Sequence, residues 1–298
     1  MPGATDWYRP GMLDLPAAVA AVIEAPSDVV DAGVRSVTLA AGIPFSALNW
    51  GDPTARSLIL VHGVTASARV WWRLGPALAA AGRHVVAVDL PGHGRTGRWT
   101  GHHVFRDTAA DVAAWIRATG LEGPETQIIG HSWGAITTAA LPIAGIRPAT
   151  LVLLDPPAIP HAIISRMASD PSEVSYPDLE TALSEVGRLN PDWSRGDVRA
   201  KAEALVELEV EAARAVLLDN GDWDGGLADL AEPAADGIPT WLVRGDPEAG
   251  GLVPDGVLPA FASRIGADHI VTLAGAPHAP QRMFPAATTA ALLRALEG

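Results

Sequence analysis

The stretch Gly130-His131-Ser132-Trp133-Gly134 decides the fold of this chain. It follows a short apolar run and precedes a pattern of helical spacing. A serine on a sharp turn between a strand and a helix takes a strained backbone conformation, and flanking glycines let such a turn close without Cβ clashes. This context predicts a nucleophile elbow, in which the serine hydroxyl stands at the carboxyl edge of a sheet. A serine in an ordinary glycine-rich loop is the alternative, because the five-residue pattern alone is common.

The composition is typical of a folded globular protein. The 298 residues are 48% hydrophobic and 18% charged, which suits one large α/β domain with an insertion or two modest domains. The formal net charge of -13 argues against nucleic acid or an anionic membrane surface as a partner. The chain has no cysteine, which excludes disulfides, thiolate metal sites and a cysteine nucleophile. No secretory signal pattern and no apolar run near the ~20 residues of a membrane span is present, so we expect a soluble, cytoplasmic protein.

Strand and helix patterns alternate along most of the chain. The first two strand patterns read as a hairpin, and the fully apolar runs after them are typical of strands buried on both faces of a parallel sheet. This alternation predicts a doubly wound, mostly parallel sheet of about eight strands. The predicted strands are 34–40, 45–50, 57–61, 85–90, 127–129, 151–154, 240–243 and 270–273. The predicted helices are 69–81, 107–118, 135–141, 179–189, 198–218, 257–265 and 286–296.

The same patterns divide the chain into four segments. Residues 1–33 form an N-terminal leader with a short helix at 17–24, which could dock on the main domain, rim a pocket or join a dimer interface. Residues 34–155 and 236–298 are the two parts of the core domain. Residues 156–235 contain amphipathic helices without buried-strand runs, so we predict a helical cap over the carboxyl edge of the sheet. A set of ordinary surface helices is the alternative for this segment.

A serine nucleophile needs a base that removes its proton and a third group that orients the base. His278 follows the last predicted strand, in a loop that would reach the edge where Ser132 lies, so it is the predicted base. Asp246 ends the next-to-last predicted strand and is the predicted acid. Glu248 is its near competitor, and Asp155, at the end of the preceding strand, is the third choice.

The attacked carbonyl oxygen needs preorganised hydrogen-bond donors. We expect them to be the backbone N–H of Trp133, directly after the nucleophile, and that of Val64, in the loop after His62-Gly63. Apolar and aromatic side chains in the predicted cap favour an apolar acyl or ring substrate over a charged one. No metal or organic cofactor is implied. The candidate pocket residues are His62, His131, Trp193, Trp223, Ile163 and Met167.

Together these motifs resemble the α/β-hydrolase superfamily over roughly residues 34 to 298. The triad order Ser132, Asp246, His278 is the order of that family. The resemblance implies its fold and hydrolytic chemistry, and it says little about the substrate. Asp246 directly follows the strand-end glycine, whereas the family often places its acid a few residues later, which keeps Glu248 open. The matching marks are His62-Gly63, residues 89–94, the serine turn, Gly245-Asp246-Pro247 and His278.

Two local features are also similar to epoxide hydrolases and haloalkane dehalogenases. They are Trp71-Trp72 after the His-Gly pair, and the His-x-Trp-Gly frame around the serine. Those families place an aspartate where this chain has Ser132. A serine cannot supply the carboxylate that forms their alkyl-ester intermediate, so we expect neither activity.

The expected activity is hydrolysis of a carboxylic ester or lactone through an acyl-enzyme intermediate. Hydrolysis of a carbon–carbon bond or cofactor-free perhydrolysis could use the same triad. An amidase or iminopeptidase is a further alternative, because acidic residues in the predicted cap could bind a free amino terminus. The last alternative is a receptor on the same fold that binds a ligand without turning it over. The sequence leaves the oligomeric state open.

Overall fold

A computed structural model describes residues 15–97, 103–169, 175–232 and 237–298, so residues 1–14 of the predicted leader lie outside the described residues. The centre of the molecule is a sheet of eight strands, as the alternation of patterns predicts. The strands are β1 (Val34–Ala40), β2 (Ile43–Trp50), β3 (Arg56–Val61), β4 (Arg83–Val88), β5 (Gln127–His131), β6 (Thr150–Leu154), β7 (Thr240–Arg244) and β8 (Ile270–Thr272).

The strand order brings the carboxyl ends of the central strands to one edge of the sheet. That order is β1-β2-β4-β3-β5-β6-β7-β8. The β1–β2 and β2–β4 pairs are antiparallel, and the remaining pairs are parallel. β5 is therefore flanked by β3 and β6, so the loops after these three strands meet around the start of the segment that follows β5.

Helices cover the sheet and make up much of the described chain between β6 and β7. They are α1 (Ala17–Glu24), α2 (Leu74–Ala80), α3 (Phe105–Ala118), α4 (Trp133–Ala139), α5 (His161–Met167), α6 (Leu179–Leu189), α7 (Arg195–Val206), α8 (Val210–Asp219), α9 (Leu227–Leu230), α10 (Leu258–Ile265), α11 (Pro280–Met283) and α12 (Pro285–Glu297). None of the helices in the described ranges combines the length and the apolar character that crossing a membrane requires.

The sheet separates two apolar layers, because successive side chains of a strand point to opposite faces. Ile59 and Val61 of β3 pack on one face, against α3 and α4. Leu58 and Leu60 pack on the other, against α1, α2 and α12. All four side chains are fully buried, and burial of each such side chain contributes roughly 1.5–3 kcal/mol.

The helix predicted at 17–24 is present as α1 and packs onto the sheet domain. Its Val19 and Ile23 lie four residues apart, on one face of the helix, and both are buried. They belong to the apolar layer that contains α2 and α12.

The helical stretch predicted over 198–218 is present as two helices, α7 and α8, with a break between them. Between α7 and α8 the N–H of Glu209 donates to the carbonyl of Gly92 at 3.0 Å. The carboxylate of Glu207 pairs with Nε of Arg95 at 3.1 Å. These contacts with the loop after β4 stabilise the break between the two helices. Amphipathic spacing alone does not predict such long-range contacts.

Candidate active site

Ser132 occupies a strained turn between β5 and α4. Its φ is 57° and its ψ is -129°, a conformation that costs a non-glycine residue on the order of 1–3 kcal/mol. A Cβ on Gly130 would lie 2.4 Å from the carbonyl oxygen of Gly134, and a Cβ on Gly134 would lie 2.4 Å from that of His62. The turn therefore closes only because strand, helix and the loop after β3 approach each other at glycines.

His278, in the loop after β8, links the serine to a carboxylate. Its Nε2 lies 2.9 Å from Oγ of Ser132, and its Nδ1 lies 2.7 Å from Oδ2 of Asp155. A carboxylate only accepts hydrogen bonds, so Nδ1 carries the proton and Nε2 offers its lone pair to the serine hydroxyl. This tautomer is the one that a general base for Ser132 requires.

Asp155 is fully buried at the end of β6, next to β5 in the sheet. Its Oδ1 accepts from the N–H of Gly245 at 2.9 Å, and its Oδ2 accepts from the N–H of Leu252 at 3.0 Å. A buried carboxylate needs such donors, because leaving it without partners would cost several kcal/mol. Its backbone φ of 43° is positive. The side chain is therefore fixed before any substrate enters.

The prediction that Asp246 orients His278 is wrong in this structure. The Asp246 carboxylate instead accepts from the N–H of Glu248 at 3.0 Å and from that of Gly275 at 2.9 Å. The Gly275 bond, followed by the Glu248 bond, lowers the pKa of this carboxyl. Glu248 itself is exposed. β7 lies one strand farther from β5 than β6 does, so the third choice, Asp155, holds the position beside the histidine.

The two expected oxyanion donors, Val64 and Trp133, lie beside the serine. Trp133 is the first residue of α4, and Val64 lines the same cavity as Ser132. Within the described residues, neither backbone N–H donates to another protein group. A Cβ on Gly63 would lie 2.9 Å from Cβ of Ser132. The loop after β3 thus lies directly against Ser132.

Two buried histidines hold that loop. In His62, Nδ1–H donates to the carbonyl of Gly63 at 2.8 Å, and Nε2 accepts from the N–H of Leu90 at 2.9 Å. Burial, reinforced by the neighbouring His93, lowers the pKa of His62 to about 3, so its ring stays neutral. Nε2 of His93 contacts the carbonyl of Val64, and burial lowers the pKa of His93 as well.

His131 supports His278 from the other side. Its Nε2–H donates to the carbonyl of His278 at 3.0 Å, and the two rings lie 5.0 Å apart. Burial is the main cause that lowers the pKa of His131 well below its usual value. His131 therefore fixes the backbone of the histidine that contacts Ser132.

A cavity of about 250 Å³ opens over Ser132 and His278. Three of the six candidate pocket residues line it: His131, Met167 and Trp223. The other three do not. His62 is buried behind the loop after β3, Trp193 lies under the guanidinium of Arg282 at 4.3 Å, and Ile163 packs against the apolar core. The full lining is Gly63, Val64, Thr65, Ala66, His131, Ser132, Pro157, Met167, Lys201, Leu217, Trp223, His278, Ala279 and Arg282.

Two cationic lining residues, Lys201 and Arg282, escaped the sequence prediction. Lys201 is the only lysine of the chain, and Arg282 follows His278 by four residues. Either fact could have drawn attention to them, but only the folded chain shows that both reach the cavity. Within the described ranges, no three histidine, aspartate or glutamate side chains are grouped as a metal site requires.

Sequence comparison agrees with this fold. The sequence model of the alpha/beta hydrolase family matches residues 58–291, so the chain belongs to that family and is a hydrolase of the α/β type. The chain is 30% identical over 239 residues to lipase LipV of Mycobacterium tuberculosis, which covers 74% of this chain and 85% of that protein.

A second relative from the same organism is epoxide hydrolase A, 30% identical over 212 residues. The match covers 67% of this chain and 63% of the length of that relative. Among solved structures, E-2-(acetamidomethylene)succinate hydrolase superimposes with a TM-score of 0.74 at 20% identity, over 89% of this chain and 99% of the other. At this identity the likeness concerns the fold alone.

Proposed function

We propose that the protein is a serine hydrolase that cleaves a carboxylic ester or lactone with an apolar acyl or ring group. The observation that carries the proposal is the hydrogen-bonded series Ser132, His278, Asp155, of which Ser132 and His278 line the cavity. Two consecutive hydrogen bonds connect a nucleophile to a base in the required tautomer, and that base to a buried carboxylate that orients it. The backbone N–H groups of Val64 and Trp133 complete the site as the proposed oxyanion donors.

The reaction follows from these positions. Nε2 of His278 takes the hydroxyl proton as Oγ of Ser132 attacks the carbonyl carbon, and the Asp155 carboxylate stabilises the imidazolium that forms. The oxyanion accepts from Val64 and Trp133. His278 then gives the proton to the departing alkoxide, which leaves as the alcohol and yields the acyl-enzyme. A water that loses a proton to His278 hydrolyses this intermediate, and the proton returns to Oγ.

The identity of the nucleophile favours ester hydrolysis over epoxide opening. The relatives include a lipase and an epoxide hydrolase at the same 30% identity, so identity does not separate the two activities. The resemblance to epoxide hydrolases implies an aspartate at the nucleophile position, and this chain has Ser132 there. A hydroxyl nucleophile attacks an acyl carbon and forms an acyl-enzyme, which suits an ester or lactone.

We propose that residues 156–235 act as a cap that selects the substrate. Met167, Leu217 and Trp223 of this segment line the cavity, so it supplies an apolar wall opposite Ser132. The acidic residues on which the amidase alternative depends lie elsewhere. Glu203 pairs with Arg69 and Arg199, and Glu207 pairs with Arg95. Among the described residues that line the cavity there is no carboxylate.

The test is activity-based labelling with a fluorophosphonate, followed by assays on aryl esters, lactones and amides. We expect one label per chain, on Ser132, and turnover of esters or lactones that Ser132→Ala abolishes. Ser263→Ala is the matched control, because this exposed serine only donates to the carbonyl of Ala260 at 2.8 Å, and it should behave as wild type. Ester turnover that persists in Ser132→Ala would overturn the proposal.

A further inference from the structure

The turn that follows β3 carries a hydroxyl next to a proposed oxyanion donor. The N–H of Ala66 donates to the carbonyl of Gly63 at 3.2 Å, so Val64 and Thr65 are the two central residues of a β-turn. Both residues line the cavity over Ser132. A Cβ on Gly63 would lie 3.3 Å from Oγ of Ser132, so the turn lies close to that hydroxyl. The side chain of Thr65 is therefore one residue away from the Val64 N–H.

Lys201 fixes the direction of the Thr65 hydroxyl. This lysine lies on α7 and is only 6% exposed. Its ammonium donates to Oγ1 of Thr65 at 2.7 Å and to the carbonyl of the same threonine at 3.1 Å. An ammonium has donors and no acceptor, so Oγ1 accepts at this contact. The hydrogen of the Thr65 hydroxyl therefore points away from Lys201, and the two bonds together hold the threonine side chain in one orientation.

The hydrogen of this hydroxyl has no acceptor among the described residues, because the contact with Lys201 is the one hydrogen bond of Thr65 Oγ1 there. Thr65 lines the cavity, so the hydroxyl can donate to a molecule bound in it. A hydroxyl that accepts from a charged group is polarised and becomes a stronger donor in turn. Thr65 thus supplies a donor that is oriented before a substrate binds, beside the place where the attacked carbonyl would lie.

We propose, resting on the proposed serine hydrolase function, that the Thr65 hydroxyl donates a hydrogen bond to the oxyanion, as a third donor beside the N–H groups of Val64 and Trp133. Lys201 is then a positioning residue, because it acts through this hydroxyl. The attacked carbonyl oxygen gains its negative charge only as the transition state forms, so the bond strengthens at that point and raises kcat more than it lowers KM. The two bonds of Lys201 also couple α7, in the proposed cap, to the turn that holds the oxyanion donors.

Removal of the hydroxyl alone tests the role of Thr65. Thr65→Val keeps the branched shape and the backbone carbonyl that Lys201 binds, and it removes Oγ1. With p-nitrophenyl acetate as substrate, we expect kcat to fall by about tenfold or more with little change in KM, because one of three oxyanion donors is lost. Thr65→Ser, which restores a hydroxyl, should recover most of the rate. A kcat unchanged in Thr65→Val, or a loss confined to KM, would overturn the inference.

Thr38→Val is the matched control. Thr38 lies on β1, the outermost strand of the sheet, so the same chemical change there should leave kcat and KM at their wild-type values. Thermal unfolding of each variant shows whether its fold is intact. If Thr65→Val does not fold, Thr65→Ala takes its place in the comparison with Thr65→Ser.

Lys201→Met, made in two backgrounds, tests the positioning role of Lys201. In the wild-type background we expect kcat to fall by about threefold or more, because the hydroxyl is no longer held or polarised. In the Thr65→Val background the further loss should be much smaller, because the hydroxyl that Lys201 positions is already gone. Equal losses in the two backgrounds would overturn the positioning role. Arg188→Met is the control for removal of a cation, because Arg188 is an exposed arginine paired with Glu185.

Fluorophosphonate labelling separates a failure of this inference from a failure of the proposed function. The phosphoryl oxygen of the reagent takes the place of the oxyanion as Ser132 is labelled, so the rate of labelling should fall in Thr65→Val as kcat does. If the wild-type protein neither takes the label nor hydrolyses the ester, the proposed function itself fails, and the inference falls with it. If the wild type is active and Thr65→Val matches it in labelling and turnover, only the inference fails.

Discussion

Oδ2 of Asp155 lies 2.7 Å from Nδ1 of His278, although 123 residues separate the two in the chain. The contact joins the end of β6 to the loop after β8. It makes Asp155 the carboxylate that orients the proposed base.

The first prediction separates the two strand-end carboxylates. Asp155→Asn should reduce kcat for ester hydrolysis by about ten thousand-fold, the loss that the equivalent change causes in a serine protease triad, because the imidazole loses its required tautomer. Asp246→Asn is the matched control, and it should stay close to wild type because Asp246 only joins two loops through backbone N–H groups. The measurement is steady-state kinetics of both variants, with circular dichroism to check that they are folded. An equal loss of kcat in Asp246→Asn would contradict the assignment of Asp155 as the carboxylate that orients His278.

The second prediction concerns the close approach at Gly134. A methyl group there would lie 2.4 Å from the carbonyl oxygen of His62, so Gly134→Ala should lower the free energy of unfolding by about 1–3 kcal/mol. Gly256→Ala is the control, because a Cβ at Gly256 meets nothing within 4 Å. Denaturant unfolding of both variants provides the measurement. A Gly134→Ala protein as stable as wild type would show that the turn has more space than the structure gives it.

The third prediction is a loss of stability in acid that depends on His62. Its pKa is about 3 in the folded protein, against an ordinary value of 6.5. Above pH 6.5 the His62 ring is unprotonated in both the folded and the unfolded chain, so its contribution to the free energy of unfolding is at its full value. As the pH falls from 6.5 towards about 3, the unfolded chain binds a proton that the folded protein does not, and the free energy of unfolding falls by about 1.4 kcal/mol per pH unit.

His62→Gln tests this dependence. A glutamine amide could still donate to the carbonyl of Gly63 and accept from the N–H of Leu90, but it cannot be protonated in this range. We expect about 2 kcal/mol less loss of stability between about pH 7 and about pH 5 in the variant than in wild type. His161→Gln, at a partly exposed histidine in the segment between β6 and β7, serves as the control. The same pH slope in His62→Gln and wild type would refute the prediction.

The fourth prediction makes His93 a positioning residue for the oxyanion loop. Its Nε2 contacts the carbonyl of Val64, and the N–H of Val64 is a proposed oxyanion donor. His93→Ala should lower kcat by at least about tenfold with little change in KM, because an oxyanion donor acts mainly in the transition state. His93→Gln, which keeps an N–H donor, should recover much of the rate.

Kinetics of the two His93 variants, together with their thermal midpoints, decide this point. His84→Ala is the control, because His84 lies near the opposite end of β4. A loss of stability without a fall in kcat would make His93 structural only. A rise in KM with kcat unchanged would also contradict a role in the oxyanion loop.

Local pattern sufficed for most of the fold because buried strands and amphipathic helices leave a periodic signature. The β3 run of Leu58, Ile59, Leu60 and Val61 is apolar at every position, and its side chains fill both apolar layers. The turn at Ser132 could also be predicted from local sequence, because it needs a glycine two residues to each side. A Cβ at either glycine would clash with backbone atoms of neighbouring elements.

The choice between Asp155 and Asp246 depended on lateral position in the sheet. Both residues follow a buried strand, so their local sequence contexts are equivalent. The strand order places β6 beside β5 and puts β7 one strand farther away, and the hydrogen bonds of Asp246 turn its carboxylate to Glu248 and Gly275. Strand order is a long-range property, and no local pattern encodes it.

The sequence by itself determined the class of the sheet, the strained serine turn and the late histidine, because each depends on residues that are neighbours in the chain. Only the tertiary structure decided which carboxylate meets His278, which side chains line the cavity and that Lys201 and Arg282 share it. Those facts depend on how distant segments cross the carboxyl edge of the sheet. The break between α7 and α8 has the same origin, since contacts with the loop after β4 hold it.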